Sequence, residues 1–179
     1  DKAKELVALA NRLNRRLMVG HIERFNPAIM TLKSLLDNNC IGEIMSLSAT
    51  RVGLMPNQIK DANVMIDLAV HDIDIFAYLL GKQPDTVHHH SGKALLQDRD
   101  DYAELFLSYG HIIGTIQVNW ITPIKIRTLS ITGTKGYLNL NYLTSDLTIH
   151  HRDFESTKDA SGYPVIQFGE TTITTVDVP

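Results

Sequence analysis

Val64-Met65-Ile66-Asp67-Leu68-Ala69-Val70-His71-Asp72-Ile73-Asp74-Ile75-Phe76-Ala77-Tyr78-Leu79-Leu80-Gly81 divides this chain into two kinds of sequence. Ile66, Val70, Ile73, Ile75, Phe76, Leu79 and Leu80 recur at helical spacing, and Gly81 stands where a helix closes on a left-handed residue. So many apolar side chains imply a helix buried on more than one side. From Pro84 onward the apolar period falls from about 3.6 to two, the period of strands.

Ahead of that helix, Leu6, Val7, Ala10 and Leu13 predict a helix over residues 2–15, and Leu17-Met18-Val19-Gly20 a short apolar strand. Asn26-Pro27 supplies an N-cap and a proline at the first helical position for a helix carrying Ile29, Leu32, Leu35 and Leu36. Residues 43–52 read as a strand and 54–63 as a loop. Behind the helix, alternation predicts strands over 86–94, 102–108, 111–120, 127–133, 137–141 and 146–151. Tyr109-Gly110 and Thr134-Lys135-Gly136 read as hairpin turns. The polar stretch 153–169 reads as a mobile loop, and 171–178 as a last strand. Helices first and a strand meander after them give an α+β domain, with a largely antiparallel, open-faced sheet covered by helices on one face.

Composition narrows the function. The 179 residues are 44% hydrophobic, which fits a globular domain with a real core. A net charge of −3 argues against a nucleic-acid or acidic-membrane partner. No apolar run approaches the roughly 20 residues needed to span a membrane. Cys40 is the single cysteine, so no internal disulfide forms and a reducing cytoplasm is the expected compartment.

Asp67 and His71 are four residues apart, which makes them neighbours on one helix face, about 5–6 Å apart at Cβ. A histidine so paired takes a proton from a substrate hydroxyl near neutral pH, while the carboxylate orients it and steadies the imidazolium. The competing assignment is a plain helix pair on a solvated face, but this helix is too apolar to have much of one. Asp72 reads as a helix or domain contact, and Asp74 as pointing elsewhere. His21-Ile22-Glu23-Arg24-Phe25-Asn26 lies between an apolar strand and a helix N-terminus, a place where polar ligands bind. Arg24 there is suited to a carboxylate or phosphate, or to a structural ion pair. His88-His89-His90 alternate between strand faces and do not converge on an ion, and no metal site is expected. Neither a glycine-rich phosphate loop nor a Walker pattern occurs.

Taken together these stretches resemble the glucose–fructose oxidoreductase / inositol dehydrogenase / MocA-type family. Val19-Gly20-His21 with Arg24-Phe25-Asn26-Pro27-Ala28, then Ile41-Gly42-Glu43-Ile44, then Asp67 to Asp74 ending in Leu79-Leu80-Gly81, then Gly133-Thr134-Lys135-Gly136 follow the family's order. The resemblance implies an N-terminal Rossmann domain for NAD or NADP, followed by an α+β domain that binds substrate and builds oligomers. It makes residues 1–20 the last helix and strand of that cofactor domain, and 21–179 the substrate and oligomerisation domain. Asp67 and His71 match the family's catalytic pair, with Arg24 and Asn26 at the cofactor–substrate junction. The family's catalytic lysine and Rossmann glycines have no counterpart in this stretch, which alone is expected to be inactive. The implied activity is hydride transfer between nicotinamide and a sugar, nucleotide-sugar or polyol hydroxyl, in a homodimer or tetramer joined through the open sheet face. "GHIERFNPA" with "IDLAVHDID" most resembles family members acting on the 3-hydroxyl of UDP-N-acetylglucosamine, with Asn63 departing from their usual glycine. A non-catalytic oligomerisation or sensor module with the same fold is the alternative, and metal-dependent hydrolysis a third.

Overall fold

The computed structural model describes residues 2–178. Helix α1 spans Lys2–Arg12 and a short 3-10 turn spans Ile22–Phe25; helix α2 (Pro27–Asp37) is followed by strand β1 (Ile44–Val52). A π-helical turn over Met65–Ala69 leads into α3 (Val70–Leu80). Seven strands follow: β2 (Thr86–Gly92), β3 (Tyr102–Tyr109), β4 (Ile112–Asn119), β5 (Ile126–Gly133), β6 (Gly136–Asn141), β7 (Asp146–Lys158) and β8 (Pro164–Val176).

All eight strands form one sheet in the order β2-β3-β4-β1-β5-β6-β7-β8. Only the β1–β4 pair is parallel, so the chain is an α+β domain with a largely antiparallel, open-faced sheet. Parallel pairing needs a long crossover, here the loop after β1, then α3, β2 and β3. That crossover lays α3 across the sheet, with Ile75, Phe76 and Leu79 buried against Leu47, Leu105, Ile116 and Leu129. Helix and sheet approach so closely that a Cβ on Gly114 would stand 3.0 Å from the Phe76 ring. Along β3 and β4 burial alternates, leaving Glu104, Phe106, Ile113 and Gln117 on the uncovered face.

Local chemistry sets the helix ends. Asn26 Oδ1 accepts from the Ala28 backbone N–H at 3.0 Å and Pro27 takes the first helical position. Asn63 caps the next helix by accepting from the Ile66 N–H at 3.0 Å. Gly81 adopts φ 68° beyond α3, where a side chain would be strained.

Three expectations are corrected. The first helix ends at Arg12, not Arg15, with Asn14 left-handed at φ 47°. Leu17–Gly20 pair with no described strand and lie exposed, Met18 at 85%. A strand is defined by its ladder, and nothing described runs beside this segment. Residues 153–169 form no loop: they are the outer half of a β7–β8 ribbon, in which Phe154 faces Phe168 and Thr157 faces Val165. Its polar composition suits a two-stranded ribbon exposed on both faces, held by backbone bonds instead of burial. The turn is built by Asp159, whose Oδ1 accepts from the backbone N–H groups of Ser161 (2.9 Å) and Tyr163 (3.0 Å), with Gly162 at φ 84°.

Candidate active site

The π-turn and α3 carry the residues that matter, and two cavities flank them. One, of about 410 Å³, is lined by Val19, Gly20, His21, Glu23, Ile66, Val70, His71 and Asp74. The other, of about 370 Å³, lies beyond Leu68, between the ends of β1 and β4 and the start of β5, with Trp120, Lys125 and Arg127 in its wall. Single π-turns inside helices recur at functional sites, because the extra residue re-aims neighbouring side chains. Here it sets Ile66 on one cavity and Leu68 on the other.

His71 is half-buried, opens into the first cavity, and makes no hydrogen bond among the described residues. Asp67 does not reach it. The Asp67 carboxylate instead accepts from the Trp120 indole N–H at 3.2 Å, pinning a side chain that is 2% exposed. The sequence spacing thus locates both groups one turn apart, but the structure bonds Asp67 to Trp120, a wall residue of the second cavity, and opens His71 into the first.

Asp74 corrects the sequence reading most. It lines the His71 cavity, three residues further along α3, and collects two partners. The Arg24 guanidinium holds it through both nitrogens (Nε–Oδ2 2.8 Å, Nη2–Oδ1 2.5 Å), and His21 Nδ1 stands 3.0 Å from Oδ1. The pairing with Asp74 is what raises the Arg24 pKa above its ordinary value. Arg24 also lies over the Tyr78 ring at 5.5 Å. The i,i+3 spacing of His71 and Asp74 was a signal for their shared face. The sequence marked the stretch from His21 to Asn26 as a place for polar ligands, but the contact of His21 with Asp74, made through the turn before α2, had no sequence signal. Asn26 serves as the α2 cap.

Beneath the cavity lies a buried ion cluster. Asp72, 1% exposed, accepts from Arg51 Nε (2.7 Å) and Nη2 (2.9 Å), and Glu23 accepts from Arg51 Nη1 at 3.1 Å. Burial alone would lower the Arg51 pKa, but Asp72 and Glu23 outweigh it and hold the guanidinium firmly charged. The cluster ties α3 to β1 and to the 22–25 turn, and so fixes where His71 stands. Asp101 braces the far side. Its carboxylate, 1% exposed, accepts from the backbone N–H groups of Ala94, Leu95 and Leu96 at 2.6–2.8 Å. Its main-chain carbonyl accepts from the Trp120 N–H at 2.9 Å. Cys40 is a half-buried free thiol whose pKa burial pushes up, away from reactivity. Among the described residues no three His, Cys, Asp or Glu side chains converge as a metal site, and no helix is long and apolar enough to cross a membrane.

The fold is thus an α+β domain with a sheet covered on one face by α3, and a histidine free of hydrogen bonds among the described residues at that helix's edge. The family profile described as the GFO/IDH/MocA C-terminal domain matches residues 29–139, and the chain belongs to that family. It is 26% identical over 153 residues to UDP-N-acetylglucosamine 3-dehydrogenase of Acidithiobacillus ferrooxidans, covering 85% of this chain and 47% of that one. The solved structure of that enzyme superposes with a TM-score of 0.77 at 24% identity, over 99% of this chain and 53% of that one. Inositol 2-dehydrogenase 2 of Saccharopolyspora erythraea is 32% identical over 89 residues, 49% of this chain and 26% of that one. The WlbA dehydrogenase of Bordetella pertussis, solved with NADH and UDP-GlcNAcA, superposes with a TM-score of 0.70 at 19% identity, over 77% of this chain and 44% of that one. The chain spans about half the length of the curated relatives it matches over most of its own length.

Proposed function

We propose that this domain presents a sugar, nucleotide-sugar or polyol hydroxyl for NAD(P)-dependent oxidation, with His71 as the general base. One observation carries the proposal: His71 is half-buried and opens into a cavity with its ring nitrogens free of intramolecular hydrogen bonds. A half-buried imidazole with free ring nitrogens, facing a cavity, is available to a ligand's hydroxyl.

We assign the nicotinamide to the exposed side of this cavity. Val19, Gly20, Ile66 and Val70 form an apolar rim, with Val19 69% and Ile66 62% exposed, that suits one face of a flat ring. When bound, the nicotinamide supplies the acceptor for the hydride lost from the carbinol carbon. The hydroxyl proton goes to His71 Nε2 or Nδ1, whichever faces the substrate. Asp67, one turn earlier, supports the resulting imidazolium through the field of its fixed carboxylate. Arg24 and Asn26 hold the cofactor-side edge: Arg24 anchors Asp74, which His21 also meets, and Asn26 sets the start of α2. NAD and NADP are both accommodated by this assignment.

The phosphate-binding glycines have no match here, so we assign cofactor binding mainly to a preceding Rossmann domain, of which residues 1–20 are the end. Residues 2–178 alone are then inactive. The open sheet face, with Phe106 at 55% and Ile113 at 56% exposure, is our candidate for self-association into dimers or tetramers. The single free thiol supports a cytoplasmic setting. The test is NADH absorbance of the full-length protein with UDP-N-acetylglucosamine, free sugars and inositols. A substrate-dependent signal that disappears in His71→Ala is the expected result, and turnover that persists in that variant overturns the base assignment.

A further inference from the structure

We propose that Arg127 and Lys125 form a subsite for an anionic group, phosphoryl or carboxylate, carried by the substrate. Only the word substrate rests on the dehydrogenase assignment; the anion site itself stands on the geometry of the sheet.

Strand β5 runs antiparallel to β1 with Arg127 directly opposite Arg51. Residues so opposed have Cβ atoms about 4.5–5.5 Å apart, and like charges there repel. Arg51 is neutralised twice, by Asp72 and by Glu23. Arg127 makes no side-chain hydrogen bond or ion pair among the described residues, although it is half-buried. Burial first, and the Arg51 charge second, push its pKa below the ordinary guanidinium value, more than Asp72, Glu23 and Asp67 restore. A partly desolvated guanidinium with no anion paired to it is an expensive arrangement. An anion arriving from outside relieves it.

What Arg127 faces supports this. It lines the 370 Å³ cavity together with Lys125, which is exposed and equally free of partners among the described residues. Trp120, Leu68 and Pro123 give the same cavity an apolar, aromatic wall. Guanidinium offers a planar fork that matches phosphate or carboxylate, and a neighbouring ammonium adds a mobile point charge. The cavity therefore suits an anion joined to a flat or apolar body. Because the π-turn separates it from the His71 cavity, a substrate bridging the two presents its hydroxyl at His71 and its anionic group at Arg127. Neutral polyols leave Arg127 uncompensated and should bind poorly.

The test uses the full-length protein saturated with NAD, titrated calorimetrically with UDP and, separately, with D-glucuronate. One of them should bind, roughly ten- to a hundredfold more weakly in Arg127→Gln and more weakly to a lesser degree in Lys125→Ala. Raising the salt concentration should weaken binding of the wild type. Response to UDP assigns the site to a diphosphate, and response to glucuronate to a carboxylate. Thermal melts separate loss of binding from loss of fold in Arg127→Gln. Lys125→Glu, in the exposed loop before β5, should abolish binding with the melting temperature unchanged. Failure of both probes to bind the wild type, or binding indifferent to these substitutions, overturns the proposal. No turnover is read, so active His71→Ala would sink the base assignment while leaving this titration intact.

Discussion

Replacing Asp72 with Asn should cost this domain about 3 kcal/mol of stability, the lower end of what is lost when one partner of a buried ion pair is removed. The magnitude follows from the cluster. Arg51 and Asp72 are 3% and 1% exposed, joined by two hydrogen bonds of 2.7 and 2.9 Å. Without the carboxylate, Arg51 keeps only the single contact to Glu23 at 3.1 Å, so its charge is partly, not wholly, orphaned. For a domain of this size about 3 kcal/mol corresponds to roughly 6–12 °C in melting temperature. Urea unfolding and calorimetry of the full-length protein, wild type against Asp72→Asn, read it directly. The double variant Arg51→Met/Asp72→Leu should recover most of the loss, because a packed apolar pair avoids the desolvation cost. A loss under 1 kcal/mol for Asp72→Asn would refute the claim that this pair ties α3 to the sheet.

Two more perturbations follow from the same frame. Burial pushes the Asp101 pKa up, but the N–H groups of Leu96, Ala94 and Leu95 outweigh it and hold the carboxyl below its ordinary value. Its stabilising contribution is therefore present above the unfolded value of about 3.9 and is lost as pH falls through the lower folded value. Asp101→Ala should cost about 1–3 kcal/mol at pH 7, and the gap to wild type should close in acid, as urea titrations at several pH values will read. Trp120→Phe removes the indole N–H and frees the Asp67 carboxylate, and should lower turnover by about tenfold or less, with a melting temperature lowered by the smaller buried ring, measured by kinetics and a melt.

Much of this architecture was legible residue by residue. The dense apolar run from Val64 to Leu80 with Gly81 behind it, and the alternation in β3 and β4, announced themselves because burial on one face writes a period into the sequence. The insertion of β1 between β4 and β5 did not, since strand order depends on the crossover and not on any strand's own residues. The β7–β8 ribbon was hidden because two exposed strands need no apolar pattern; only Asp159 and Gly162 hinted at its turn. In the site, His71 and Asp67 could be named from spacing, but the bond of Asp67 to Trp120 and the free ring of His71 could not. The Arg51–Asp72 pair and the opposition of Arg51 to Arg127 depend on packing and register, which link residues 21 and 76 positions apart.

The most direct measurement of the central claim is single-turnover NADH formation by the full-length protein carrying His71→Ala, with whichever substrate the wild type oxidises. A general base predicts a fall on the order of 10²–10⁴ in rate, with NAD binding intact. Turnover within a few fold of wild type would contradict it, and a wild type that binds no NAD at all would favour a non-catalytic module built on the same sheet.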